Sequence, residues 1–262
     1  MSATDDRPTA APADIETASA AYAARFAGPA GRYMLTVQEQ CVRELIASYR
    51  GGSILEIGGG HGQLLALYAR LAMQVTLHGS NRECFARLCA QQLAGVRPLS
   101  GDFMHLDVPD RSHDIVLAVR LLAHVQDRQG LLSEMARIAR HAVIVDYPSI
   151  YSANALTPLL FPVKKRLEGN TRTYLSFSRR QLEREFSHHG LSVIRQRKQF
   201  LLPMVLHRAG QGNALFQGTE NMCRRLGLTA LLGSPVIMQA TRPRLTSPAI
   251  GGRASSSTRR RQ

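Results

Sequence analysis

A doubly wound α/β fold, one seven-stranded and mostly parallel sheet with helices on both faces, is what this chain of 262 residues predicts. Three observations carry that expectation. Strand-length apolar segments alternate with helix-length segments along most of the chain, the pattern of βαβ units. DIVLAV (114–119) and HAVIVDY (141–147) are apolar almost throughout, as strands covered on both faces are. One strand also runs directly into a turn nearly free of side chains, ILEIGGGHGQ (54–63), before the chain resumes as a helix.

The elements follow in order. MLTVQEQCVRELIASY (34–49) reads as a helix, and residues 53–57 as the first strand. After the glycine turn a helix is expected over about 62–72, then a strand at 74–78 (QVTLH) and a helix at 82–93 (RECFARLCAQQL). VRPLS (96–100) is a short third strand and 114–119 the fourth. GLLSEMARIAR (130–140) is a helix leading into the fifth strand, 141–147. Prolines 148, 158 and 162 with Gly169 break the rhythm over 148–177. A helix at 178–190 then stops at Gly190, followed by a more exposed alternating strand at 191–200, a helical stretch at about 213–226 and a last strand at 234–240. The ends differ in kind. Residues 1–20 are rich in Ala, Pro and Asp and read as a disordered tail, and 242–262 as a basic flexible tail. One domain over 21–241 is expected, with 148–177 and 201–233 as insertions.

Net charge is +14 at neutral pH, and it is unevenly placed. Residues 1–160 hold 14 basic and 15 acidic residues, 161–210 hold 11 and 3, and the tail 242–262 holds 6 arginines and no acid. Such a field favours an anionic partner: a substrate, a phospholipid surface or a nucleic acid. Solvated surface arginine explains it equally well. The four cysteines, Cys41, Cys84, Cys89 and Cys223, form no CxxC pair, so neither a zinc site nor a disulfide framework is indicated. No other cluster has metal-ligand spacing, and no metal is expected. There is no apolar run of membrane-spanning length and no secretion signal, so a cytoplasmic setting is expected.

Three ligand classes use a strand, a glycine turn and a helix start. A phosphate loop needs GxxxxGK[ST], and no lysine follows here. The dinucleotide pattern GxGxxG would place its third glycine at Gln63, and Gly62 is one position early. Glu56-Ile57-Gly58-Gly59-Gly60-His61-Gly62 instead resembles motif I of class I S-adenosylmethionine-dependent methyltransferases. The resemblance continues through SGDFMHLDVPDRSHDIVLAVRLLAHV (100–125) and FSRRQLEREFSHHGLSVIRQR (177–197), and is nearest the branch of quinone-biosynthesis and small-molecule enzymes. It implies a Rossmann-like methyltransferase fold with S-adenosyl-L-methionine as cofactor. The same likeness implies roles for single residues. Glu56 faces the cationic part of the cofactor. Gly58, Gly59, Gly60 and Gly62 admit its amino-acid end and ribose, with His61 shaping the turn. Asp102 accepts from the adenine amino group, Phe103 lies beside the ring, and Arg120 sits near the methionine moiety. One departure stands out. The family ends its second strand with an acid that binds both ribose hydroxyls, and here that position is Gly79. Ser80 or Asn81 is left to make a neutral, weaker contact.

Methyl transfer is an in-line displacement that mainly needs alignment and exclusion of water. Two residues are candidates for a base. His124 follows the fourth strand and is either that base or a histidine packed under the loop. Asp146 ends the fifth strand as a base, an anchor or a capping residue. The tetrapeptide of adenine and amide N-methyltransferases is absent; its place holds Arg120-Leu121-Leu122-Ala123. In 152–174, apolar residues precede Lys164-Lys165-Arg166, which suits an amphiphilic anionic substrate or an anionic membrane face. YAARFAGPAGRY (22–33) is expected to cover the cofactor cleft. The leading expectation is methyl transfer to a small or lipid-linked molecule. RNA methylation is disfavoured, because the charge sits in a tail and one insertion with no recognisable RNA module. A non-catalytic, cofactor-binding partner subunit is the other alternative, and Gly79 is the feature that favours it.

Overall fold

The computed structural model describes residues 13–152, 175–209 and 214–243. The basic triplet Lys164-Lys165-Arg166 and nearly all of the basic tail lie outside them. The strands are β1 (Ser53–Ile57), β2 (Gln74–Gly79), β3 (Val96–Ser100), β4 (His113–Ala118), β5 (Ala139–Tyr147), β6 (Ser192–Phe200) and β7 (Ser234–Thr241). They form one sheet in the order β3-β2-β1-β4-β5-β7-β6. The first five run parallel; β7 is antiparallel to both β5 and β6. This is the mostly parallel, helix-covered sheet that the strand and helix alternation predicts. Pro98, which has no N–H to donate, stands in the edge strand β3, where a missing ladder bond costs least.

The helices are α1 (Ala13–Ala18), α2 (Ala20–Ala24), α3 (Gly28–Ile46), α4 (Leu65–Arg70), α5 (Ala90–Leu93), α6 (Arg128–Ile138), α7 (Arg179–His188), α8 (Met204–Ala209), α9 (Ala214–Arg225) and α10 (Leu228–Leu232). Two apolar layers flank the sheet. One joins Leu55, Ile57, Val116 and Val143 to Leu131, Leu132 and Met135 of α6 and to Leu182 and Phe186 of α7. The other joins Ile54, Leu77, Ile115 and Ile144 to α3 and α4. In α3 the buried positions Met34, Val37, Cys41, Val42 and Leu45 recur at helical spacing, so one stripe faces the sheet. Burial of each such side chain contributes about 1.5–3 kcal/mol.

Three local expectations are corrected. The helix expected from residue 62 begins only at Leu65, because Gly59–His61 makes a tight 3-10 turn and Gly62 is left-handed at φ 64°. The helix expected over 82–93 is instead a 3-10 turn, Arg82–Phe85, and the short α5. Asn81 caps the first by accepting from the Cys84 N–H at 3.3 Å, and Cys89 with Gln92 forms a capping box on the second. Residues 13–20, read as the end of a disordered tail, carry α1 and the start of α2. Asp14 and Thr17 of α1 are buried, and α1 packs on the glycine turn.

Candidate active site

Strand order reverses between β1 and β4, and in open α/β sheets the crevice beyond the carboxyl ends at that point is where ligands bind. The glycine turn stands there. Gly58 leaves β1 with φ 75°, a conformation open to glycine, and its N–H donates to the His78 carbonyl of β2 at 2.8 Å. Gly60 is packed so closely that a Cβ would lie 2.3 Å from the Cys84 carbonyl oxygen. The turn therefore requires glycine at both positions for different reasons: one for its dihedral, the other for space.

Glu56 is buried at the end of β1 and accepts from the Tyr68 hydroxyl of α4 at 2.9 Å. Its other oxygen has no hydrogen-bond partner and lies 3.9 Å from Nε2 of His61. Burial raises the Glu56 carboxyl to about 7 despite the opposing effects of Tyr68 and Arg120. Burial, helped by the Arg120 charge, lowers the His61 imidazole to about 3. His61 is therefore neutral near pH 7 and its Nδ1 accepts from the Gln63 N–H at 3.2 Å.

Arg120 follows β4 in the left-handed region, φ 61°. Its N–H donates to Asp146 Oδ1 at 2.6 Å, its guanidinium donates to Gln63 at 2.8 Å, and the same group lies 4.0 Å over the ring of Phe26. Phe26 belongs to 22–33, the stretch read as cleft cover. Asp146 is buried, and burial raises it to about 6. It faces the Arg120 backbone, so its carboxyl fixes the chain where it leaves β4.

On the β2 side, the Ser80 N–H donates to Asp14 Oδ2 at 2.7 Å, and the Ser80 hydroxyl lies 3.6 Å from the Cys84 sulfur. Asn81 is engaged as a cap. Asp102 follows β3 and is exposed; the Met104 N–H and then His105 hold its carboxyl below the usual range. Phe103 is buried, its ring centroid 5.8 Å from that of His78. His124 closes a 3-10 turn, Leu122–His124, and is half-buried. The structure thus brings the buried side chains of Glu56, His61 and Asp146 together with the half-buried Arg120, with Ser80, Asn81, Asp102 and Phe103 along the neighbouring strand ends. Tyr68, Gln63 and Asp14 were missed. Tyr68 was hidden in an ordinary apolar helix pattern, and Asp14 in a composition that reads as a tail. Among the described residues, no group of three or more His, Cys, Asp or Glu is placed to hold a metal ion.

The residues present fit an adenosyl amino acid. Glu56 Oε1 and Asp14 Oδ1 are buried polar atoms without hydrogen-bond partners on the elements that form the turn and its flank.

Residues 55–145 match the family described as "Methyltransferase domain". Phosphatidylethanolamine N-methyltransferase of Cereibacter sphaeroides is 35% identical over 106 residues, which cover 37% of this chain and 52% of that protein. An uncharacterized methyltransferase of Mycobacterium sp. (strain JLS) is 35% identical over 91 residues, 34% of this chain and 35% of that protein. The chain thus spans about half or less of the length of the curated relatives it matches. Magnesium protoporphyrin IX methyltransferase from Synechocystis, solved with bound S-adenosylhomocysteine, shares the fold with a TM-score of 0.57 at 14% identity, over 81% of this chain and 87% of that one. Geranyl diphosphate C-methyltransferase from Streptomyces coelicolor does so with a TM-score of 0.53 at 15% identity, over 78% and 76%. Residues 55–145 thus match a methyltransferase domain, and the chain shares the fold of solved methyltransferases, one of them with bound S-adenosylhomocysteine.

Proposed function

We propose that this protein transfers the methyl group of S-adenosylmethionine to an amphiphilic, lipid-linked or small-molecule acceptor. The observation that carries the reading is the glycine turn at the strand-order reversal, flanked by buried polar atoms that lack protein partners. When bound, the cofactor supplies a methyl carbon already activated by a sulfonium. The chain's own part is to bind and align. Gly58 to Gly62 bring backbone close to the amino-acid end, and Glu56, oriented by Tyr68, offers its second oxygen there. Asp102, exposed beyond β3, is available to an adenine amino group. Arg120 and Phe26 tie the α2–α3 connection over the cleft and exclude water.

Asp146 serves in this reading as a positioning residue, since its carboxylate is committed to the Arg120 N–H. His124 is then the candidate base, in the 3-10 turn that follows the fourth strand.

A lipid-linked acceptor is favoured by two features. The relative from Cereibacter sphaeroides is named for a phospholipid acceptor. Leu215, Met222, Leu226, Leu231 and Leu232 of the α9–α10 region are exposed, with Arg225 exposed among them. Apolar side chains beside cations suit a peripheral contact with an anionic surface. Lys164, Lys165 and Arg166 would add to the same field. No described helix is long and apolar enough to cross a membrane.

The test has two stages. Calorimetry with S-adenosylhomocysteine should give micromolar binding that Gly60→Arg abolishes. Transfer of labelled methyl from S-adenosylmethionine is then measured to phosphatidylethanolamine vesicles and to soluble small molecules. Binding without transfer to any acceptor would favour the non-catalytic subunit reading. Transfer to soluble acceptors alone would remove the lipid.

A further inference from the structure

The second strand ends on Gly79, without the acid expected there, yet a carboxylate occupies the neighbourhood. It comes from Asp14, 66 residues upstream of Ser80. We propose that Asp14 supplies the ribose-binding carboxylate that position 79 lacks, accepting at Oδ1 a hydrogen bond from a hydroxyl of the adenosyl ribose. The assignment rests on the cofactor reading above.

Three observations support it. Asp14 Oδ2 is anchored by the Ser80 N–H at 2.7 Å and the Cys84 thiol at 3.1 Å, so the carboxylate is held at the carboxyl end of β2. Oδ1 is buried and has no partner, in a residue only 1% exposed. A buried carboxylate oxygen without a donor is costly, and a ligand hydroxyl removes that cost. Helix α1 packs against both the glycine turn and the Arg82–Phe85 turn, which puts Asp14 between them. With the amino-acid end of the ligand on the glycine turn and adenine near Asp102, the ribose would fall in that interval.

Position 79 itself is tight for any side chain. A Cβ there would stand 3.0 Å from both Cys84 Cβ and Phe85 Cζ. The neutral alternatives are already engaged: Asn81 Oδ1 caps the Cys84 N–H, and the Ser80 hydroxyl sits against the Cys84 sulfur. The acid has therefore changed its place in the sequence and kept its place in space.

The test uses calorimetry on the full chain with S-adenosylhomocysteine and its 2′,3′-dideoxy analogue. The unmutated protein should bind the first about 10- to 100-fold more tightly, the range expected for a charged hydrogen bond. Asp14→Asn should cut that ratio several-fold, to the smaller value of a neutral contact. Its unliganded thermal midpoint is measured alongside, to show that it folds. Asp14→Glu, which keeps the charge, should retain part of the ratio and serves if the amide variant does not fold. A ratio unchanged in both variants overturns the assignment. Tighter S-adenosylhomocysteine binding by Asp14→Asn also overturns it, because the carboxylate would then compete with the ligand. If the unmutated protein binds neither compound, the cofactor reading falls with it. A defect limited to the ratio concerns Asp14 alone.

Discussion

Asp146 holds the backbone N–H of Arg120 at 2.6 Å, across the ends of two adjacent strands. Arg120 is one of three non-glycine residues with positive φ among those described, and the bond stabilises that conformation. The side chain is thereby directed to Gln63 and to the ring of Phe26. A buried carboxylate thus sets the direction of a cation that ties the α2–α3 connection to the end of β4.

Removing that acceptor should be expensive. Asp146→Ala should lower stability by about 2–4 kcal/mol in urea denaturation, because it leaves a buried N–H unpaired and a strained residue unsupported. Asp146→Asn keeps an acceptor and should cost about 1 kcal/mol or less, with S-adenosylhomocysteine binding retained. If Asp146 were instead the base, the amide variant would bind normally and lose turnover.

Glu56 makes a prediction about pH. Its folded-state carboxyl is raised from 4.5 to about 7 by burial, with Tyr68, His61 and Arg120 facing it. A carboxyl shifted this way binds more protons in the folded state than in the unfolded one. Its contribution to stability is therefore fully present below about pH 4.5 and is lost as pH rises through 7. The loss is on the order of 3 kcal/mol at 1.36 kcal/mol per unit. Glu56→Gln should flatten the stability profile over that window. An unchanged profile in the variant would place the titration elsewhere.

The turn tolerates no side chain at Gly60. Gly60→Ala puts a methyl 2.3 Å from the Cys84 carbonyl oxygen, and backbone must move to admit it. Destabilisation of about 1–3 kcal/mol or more is expected, with loss of S-adenosylhomocysteine binding. Thermal denaturation and calorimetry on the same sample measure both effects.

Glu220 of α9 behaves oppositely to Glu56. It is fully buried, yet it accepts from the N–H groups of Leu201 at 2.6 Å and Leu202 at 3.1 Å, with His207 Nε2 3.5 Å away. Burial raises its carboxyl, but His207 and the two backbone donors outweigh that and leave it below 4.5. Its contribution is present above about pH 4.5 and lost as pH falls through the lower folded-state value. Glu220→Ala should cost about 3–5 kcal/mol and loosen α9 from the end of β6, seen as faster amide exchange at Leu201 and Leu202.

What could be read locally was read well where local forces decide. The strands followed from apolar runs because a strand covered on both faces has few other compositions open to it. The glycine turn was legible because dihedral and space both demand glycine there. The segment 82–93 failed because Asn81, Cys89 and Gln92 offered the backbone side-chain partners that interrupt a helix. The site was half legible: Glu56, Arg120 and Asp146 could be named, but not that the last two bond to each other.

By itself, then, the sequence determined the alternation of strands and helices, the glycine turn and the absence of an acid at position 79, because each is a property of neighbouring residues. Only the tertiary structure decided that β7 inserts between β5 and β6, that Glu56 is buried against Tyr68, and that Asp14 reaches the end of β2. These depend on packing between segments tens of residues apart. Asp14 lies in a stretch whose composition alone is that of a tail, and its carboxylate acquires a place only when α1 packs on a turn formed by distant residues.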